Sequence, residues 1–339
     1  MLLRLSALMV SCAFVAFAPA SRAQGALVSG DPLIEARETQ AWLTRITDAA
    51  NKRNFQGTVV VSAGGTVASS RIAHFCDGRN QYERIDSLEG QMRNVLRQND
   101  LVHTVWPQSR VAMVEQRDSM SSFPALLQAG AQHVTDFYEL KPMGIERVAG
   151  HEANVLQLRA KDGHRFGYRL WAEKNTGLLL RTEVLGEQAE VLESSAFSDV
   201  SINVKPQAEL ITQPLRKLDG YRIVRPPVTP AKLESEGWSL NHGIPGFTQV
   251  SCVKRPFDGA LRIRGATEPV LQAVYSDGLT FVSVFIEPYN AERHQRPMST
   301  LIGATQTMMR RHGDWWVTVM GDVPTATLRA FAAGLERKK

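Results

Sequence analysis

The sequence predicts an α+β protein of two domains: a larger N-terminal one whose long antiparallel sheet curls into a half-open barrel, and a smaller C-terminal sheet backed by one helix. Three observations carry this. Short alternating runs are separated by turn residues at regular spacing from residue 56 to 202. Five of the sixteen prolines fall between 204 and 230. Beyond them a fresh set of hairpins ends in one amphipathic helical stretch.

The chain begins with a positive Arg4, an apolar run from Leu5 to Phe17, and small residues at Ala18, Ala20, Ser21 and Ala23. This is the pattern of a secretory signal peptide, residues 1–23, cut after Ala23 with Ala20 as the lesser site. The run is short for a membrane span, and no other stretch approaches spanning length, so a soluble exported protein is expected. The segment 24–37 reads as a loose start. Trp42, Leu43, Ile46, Ala49 and Ala50 then share one face of a helix over about 38–53.

Strands follow the helix, and together they make up an N-terminal domain over 34–203. Gln56–Ala63 turns at Gly64-Gly65 into Ala68–Cys76, and Asp77-Gly78 leads to Arg79–Ser87. Glu89-Gly90 and Asn99-Asp100 separate the next runs, to Arg97 and from Leu101 to Gln116. Pro124 suits a short helix through Leu127, and Thr135 can cap another through Leu140. Strands resume at Ile145–Ala149, Ala153–Arg159, Phe166–Glu173, Leu178–Leu185 and Glu190–Ile202. About ten consecutive strands tend to curl, because each twists against its neighbour. The resulting cup must be filled, and the helices near 38–53 and 123–140 are its candidate plugs.

Residues 204–230 are Pro-rich and basic, with Lys205, Arg216, Lys217, Arg222 and Arg225 against Glu209 and Asp219. They read as an extended linker. The C-terminal domain, 231–338, contains a hairpin about Ser276-Asp277-Gly278 and another about His312-Gly313-Asp314. Its last helix starts near Pro324, with Leu328, Phe331, Ala332 and Leu335 on one face and Arg337, Lys338 and Lys339 at its end.

Composition excludes several functions. Net charge is +5, two units of which lie in the signal segment, and no long basic run exists, so nucleic-acid binding is disfavoured. Ser251-Cys252-Val253-Lys254 matches S-x-x-K, but the partner motifs of that acyl-transfer chemistry are missing, and a half-buried strand is the better reading. His151-Glu152 opens a zinc helix motif that Val155 breaks. With no nucleophile elbow, phosphate loop or calcium loop, a non-enzyme without cofactor or metal is expected. Cys76 and Cys252 are compatible with a disulfide or with two free thiols. Trp315 and Trp316 are adjacent in a strand and point to opposite faces, so one should lie on the side away from the helix.

The stretches WLTRITDAANKRNFQGTVVV, RIAHFCDGRNQYERIDSLEG, SSFPALL, YRLWAEKNTGLLLRTEVL, YSDGLTFVSVFIEP and RHGDWWVTVMGDVP resemble, in this order, the RseB/MucB family of periplasmic regulators. The resemblance runs from Trp42 to Leu335 and implies a LolA/LolB-like N-terminal domain. It implies negative regulation of an envelope-stress sigma factor: binding the periplasmic part of a transmembrane anti-sigma factor, shielding it from the site-1 protease, and release by lipid A or an acylated lipoprotein. It carries no catalytic residues.

The anti-sigma segment is expected on Arg222, Arg225, Phe285 and Trp315 or Trp316, where aromatic side chains coincide with Arg. Acyl chains are expected against Val59, Val61, Leu170 and Leu180, the alternative being that these four pack a closed core. A periplasmic lipid or lipoprotein carrier and an exported hydrolase are the competing functions, and homo-oligomerisation is left open.

Overall fold

The computed structural model describes residues 32–116, 134–256, 269–294 and 296–338. The signal segment and the expected helix at Pro124–Leu127 lie outside them. In chain order the elements are α1 (Pro32–Lys52), β1 (Phe55–Ala63), β2 (Thr66–Cys76), β3 (Gln81–Ser87), β4 (Asn94–Gln98), β5 (Leu101–Trp106), β6 (Val111–Gln116), α2 (Val134–Phe137), β7 (Tyr138–Val148), β8 (His151–Ala160), β9 (Gly167–Glu173), β10 (Leu179–Leu185) and β11 (Val191–Ile202). There follow α3 (Glu209–Leu215), β12 (Arg222–Val224), β13 (Thr229–Pro230), β14 (Trp238–Leu240), β15 (Thr248–Arg255), β16 (Val270–Ser276), β17 (Phe281–Pro288), β18 (Met298–Ile302), β19 (Thr305–His312), β20 (Trp315–Gly321), α4 (Thr325–Gly334) and β21 (Leu335–Arg337).

The large sheet has twelve strands in the order β12-β6-β5-β4-β3-β2-β1-β11-β10-β9-β8-β7. Its ends, β12 and β7, do not pair, so the sheet is open, as the half-open expectation requires. Register shifts at Thr58/Val59, Leu179/Arg181, Val184/Leu185 and Pro142/Gly144 bend individual strands, because a bulged residue adds length to one strand only.

Helix α1 is longer than expected, since Pro32 opens it: a missing N–H costs nothing in a first turn. Its Leu43 and Ile46 pack on Leu156, Leu158, Leu170 and Leu179, in a cluster that also takes Leu279 and Ala304 from the C-terminal domain. Ala49 joins a second cluster, with Phe55, Val59, Trp171, Leu180 and Phe197. The helix at Thr135 differs from expectation: α2 stops at Phe137, and β7 begins at Tyr138.

The Pro-rich segment departs most from its reading as an extended linker. It forms α3, whose Ile211 is wholly buried against Ala73, Phe75, Tyr82, Leu96, Val105 and Ala112. It then supplies β12, which runs parallel to β6 with Arg222 opposite Val111. Proline at 214 sits near the end of α3, where the helix is already closing.

The C-terminal sheet has the order β13-β15-β16-β17-β20-β19-β18. One face carries Leu271, Ala273, Val282, Val284, Ile286, Val317 and Val319 against Leu328, Phe331 and Ala332 of α4. Leu335 is not helical: α4 ends at Gly334, and β21 pairs with β14, Trp238 opposite Arg337. The guanidinium of Arg337 lies over Trp238 and Trp315, at 5.3 and 4.9 Å, rather than serving as a helix-end charge.

Candidate functional site

Among the described residues no group of His, Cys, Asp or Glu is placed to hold a metal, and no helix is long and apolar enough to cross a membrane. Cys76 and Cys252 are free and half-buried, on β2 and β15. Burial pushes the Cys252 thiol up, and Glu234 and Glu236 add to the effect, which disfavours the reactive thiolate. The candidate sites are therefore surfaces.

The first is the face of the C-terminal sheet turned away from α4. Strand registers place Met298, Met309, Thr318, Phe285 and Gln272 in one row across β18, β19, β20, β17 and β16. The next row is Thr300, Thr307, Met320, Ser283 and Val274. Side chains alternate along a strand, so these rows must oppose the core rows. Phe285 is half-buried on this face, as are Met309 and Met320. Flexible thioethers beside an aromatic ring make a face that can adapt to an irregular apolar chain.

The two tryptophans separate as strand geometry demands. Trp315 is half-buried on the α4 side and meets Trp238 edge-on, ring centroids 5.8 Å apart. Trp316 belongs to the other face but is only 5% exposed. His294 stacks flat on it, 4.7 Å between centroids and 4° between planes, and Tyr289 lies 6.2 Å away. Burial lowers the His294 pKa and Arg293 works in the same direction, together outweighing the opposing pull of Glu287. The ring is thus held neutral beside Trp316.

Arg222 and Arg225 are exposed, at and just after the edge strand β12 of the large sheet. They do not share a strand or face with Phe285 or the tryptophans. The five residues therefore lie in three places: the β12 edge, the open face, and the α4 side.

The four residues expected to meet acyl chains lie in packed clusters. Leu170 is wholly buried under α1, Leu180 is wholly buried, and Val59 is buried with Phe197. Val61 is half-buried against the same cluster as Val59 and Leu180. What covers them is α1, and α1 is fastened by the loop of the β9–β10 hairpin. Arg45 donates from Nη2 to the carbonyls of Lys174, at 2.6 Å, and Asn175, at 2.9 Å. Gly177, at φ +81°, approaches so closely that an added Cβ would lie 2.7 Å from Arg45 Cγ.

Glu173 organises this loop from within, accepting from the Thr176 N–H and hydroxyl, both at 2.6 Å, and from the Asn175 N–H at 3.1 Å. Burial pushes its pKa up, but the bonds from Thr176 and Asn175 overcome that and hold it below its ordinary value. A groove of about 860 Å³ runs between α1 and the loop, lined by Arg37, Arg45, Lys52, Arg53 and Asp48 among others.

Sequence reasoning missed the domain junction. Arg165, in the β8–β9 loop, reaches Asp277 of the C-terminal domain and also bonds Asp162 and the carbonyl of Pro245. Its guanidinium lies 4.1 Å from the Phe137 ring centroid and 4.9 Å from that of Phe247. Tyr138 Oη donates to Asp277 at 3.3 Å, and Thr327 Oγ1 donates to the His164 carbonyl at 2.9 Å. Burial, then the nearby Asp277 charge, hold the Tyr138 hydroxyl protonated. Farther along, Arg255 pairs with Glu115 at 2.7 Å. The Ser276-Asp277-Gly278 turn was the available sign: its carboxylate accepts from Leu279 and Thr280 N–H groups, and still has an oxygen left for Arg165.

Comparison with known proteins gives a consistent set of relatives. The family model described as the MucB/RseB N-terminal domain matches residues 38–215, and that of the MucB/RseB C-terminal domain matches 232–336. The chain is 27% identical over 312 residues to the sigma factor AlgU regulatory protein MucB of Pseudomonas aeruginosa, covering 90% of this chain and 92% of that one. It is 22% identical over 315 residues to the sigma-E factor regulatory protein RseB of Escherichia coli K12, covering 91% and 96%. The solved complex of P. aeruginosa MucA and MucB superposes with a TM-score of 0.67 at 25% identity, over 89% of this chain and 99% of that one. A crystal structure of MucB with MucA(peri) gives 0.65 at 25% identity, over 88% and 99%.

Proposed function

The chain belongs to the MucB/RseB family, and from that premise we propose that it is a periplasmic regulatory binding protein for the periplasmic region of a transmembrane anti-sigma factor. Bound, it shields that region from site-1 proteolysis, and a lipid or acylated lipoprotein signal releases it. The observation that carries the reading is likeness to MucB across both domains, in structures where MucB holds MucA(peri).

Shielding needs no chemistry on the covalent chain, only a bound population larger than the free one. An interface of about 1,600 Å² supplies micromolar to nanomolar affinity. We place the anti-sigma segment on the open face around Phe285, with Arg222 and Arg225 and the Trp315 and Trp316 region as flanking contacts. The Met-rich rows beside Phe285 support that choice.

We place the acyl chain of the signal against Val59, Val61, Leu170 and Leu180. Since α1 covers this cluster, lipid entry requires α1 to move, and the Arg45 contacts with the 174–175 carbonyls oppose that movement. Coupling to release then follows if lipid binds the α1-displaced state better than the closed one.

The test is titration of the mature chain against the periplasmic region of its host's anti-sigma factor, followed by timed digestion with the site-1 protease. Saturable binding with slowed cleavage supports the reading, and added lipid A or acylated peptide should restore cleavage. Absence of binding, or cleavage at an unchanged rate in the complex, overturns it. The carrier alternative predicts tight lipid retention without any effect on cleavage.

A further inference from the structure

The two large sheets have four edges, and three are guarded against stray pairing. Strand β7 carries Lys141, Glu146 and Arg147 and a bulge at Pro142/Gly144. Strand β12 is three residues long, and β13 is two residues long and includes Pro230. Charges, proline, bulges and shortness are the devices that keep edges from recruiting another strand. Strand β18, Met-Ser-Thr-Leu-Ile, has no charge and no proline, and all five residues are exposed. Met298, Leu301 and Ile302 are 48%, 62% and 65% exposed.

The backbone groups at this edge can be assigned. Gly303 and Ala304 form a two-residue turn, with Ile302 opposite Thr305. In such a hairpin the flanking pair exchanges hydrogen bonds, and bonded and non-bonded pairs alternate from there. Ile302, Thr300 and Met298 therefore point their N–H and C=O groups at β19, while Ser299 and Leu301 point theirs outward. Charge differs between the two ends: Arg296 lies just before β18 and Arg310 beside Met309, neither with an ion-pair partner among the described residues, whereas the Glu193 carboxylate lies at the Gly303-Ala304 turn, accepting from the Ala304 N–H.

We propose that β18 is a strand-addition site that accepts an extended peptide of alternating apolar side chains, antiparallel to β18, with a carboxylate near the peptide's C-terminal end. The backbone of Ser299 and Leu301 supplies the pairing. Antiparallel pairing brings the peptide's C-terminal end to Arg296 and Arg310. A second copy of this chain is the poorer occupant. Five residues a side is well below the about 20–30 a side of a stable interface between folded proteins. The site adjoins the Phe285 face, whose rows end on Met298 and Thr300 of β18, but it uses the outward backbone of Ser299 and Leu301, and its test does not use the anti-sigma factor.

The test uses the mature chain and a hexapeptide, Thr-Val-Thr-Val-Thr-Asp, with fluorescein at its N-terminus and an amide at its C-terminus, read by anisotropy. Saturable binding is expected, with amide-exchange protection at Ser299 and Leu301. Two further peptides carry N-methyl groups on alternate residues, one in each phase; one of the two should bind tenfold or more weakly than the other. Leu301→Pro, which removes an outward N–H, should weaken binding tenfold. Arg296→Glu should weaken it and be rescued by a peptide ending in Lys.

Lack of saturable binding, or equal binding of both N-methylated peptides, overturns the proposal without any change to the protein's own fold. So does a peptide-free dimer that Leu301→Pro dissociates, since the occupant is then a second copy.

Discussion

Arg165 Nε donates to Asp277 Oδ2 at 2.7 Å across the domain junction, and both side chains are wholly excluded from solvent. A buried pair of this kind is a weak source of net stability, because desolvation offsets the attraction, but an orphaned member is costly. Asp277→Ala leaves the buried Arg165 guanidinium with Asp162 as its one remaining carboxylate partner and also frees the 276–280 turn. We expect a loss of about 3–5 kcal/mol, measured by urea unfolding of the whole chain. Arg165→Met with Asp277→Asn should recover part of it. If Asp277→Ala unfolds with an unchanged midpoint, the junction is not holding the domains.

Ile211 of α3 is wholly buried on the large sheet. Ile211→Ala should cost about 2–5 kcal/mol, the usual range for a large-to-small core change. A free tether would show almost none. Equality with wild type in thermal and denaturant melts would restore the linker reading of 204–230.

Glu173 gives a pH dependence of definite sign. Its folded-state pKa lies below the unfolded value, so its contribution is fully present above the ordinary carboxylate range and is lost as pH falls through the folded pKa. Wild type should lose stability on acidification below about pH 4.3. Glu173→Gln should be less stable at neutral pH, and its acid limb should be shallower. Parallel acid limbs for the two proteins would mean Glu173 is not the group titrating.

Gly177→Ala tests the fastening of α1. It places a side chain at φ +81° and 2.7 Å from Arg45 Cγ. The expected cost is about 1–3 kcal/mol, with faster amide exchange along 38–52. If lipid enters by displacing α1, the same variant should release the anti-sigma region at lower lipid concentration.

The proposed docking surface separates into two measurable parts. Phe285→Ala should weaken anti-sigma binding about tenfold, a loss above about 1 kcal/mol, with the melting curve unchanged. Arg222→Glu with Arg225→Glu should weaken it and flatten its dependence on salt, because the screened attraction is gone. Unchanged affinity in both variants would remove the segment from these surfaces.

Strand after strand was legible where a polar turn separates two alternating runs, as at Asp77-Gly78 and Asn175-Thr176-Gly177. It was not legible at β7, where Pro142 and Gly144 look like breakers and are in fact a bulge on an edge strand. Nor was α3: prolines in its neighbourhood outweighed Ile211 and Leu215, which pack it on the sheet. Of the residues expected at sites, the opposite facing of Trp315 and Trp316 follows from strand alternation. The cover over Trp316 does not, because His294 arrives from a different connection.

The sequence by itself determined most strands of the two sheets, the turns between them and the presence of two domains, because a period of two and a turn's φ requirement are local properties. Only the tertiary structure decided which apolar face α1 seals, and that Arg165, in a polar loop, is a buried junction residue. A charge can be buried only beside its partner, and that partner stands 112 positions away in the chain.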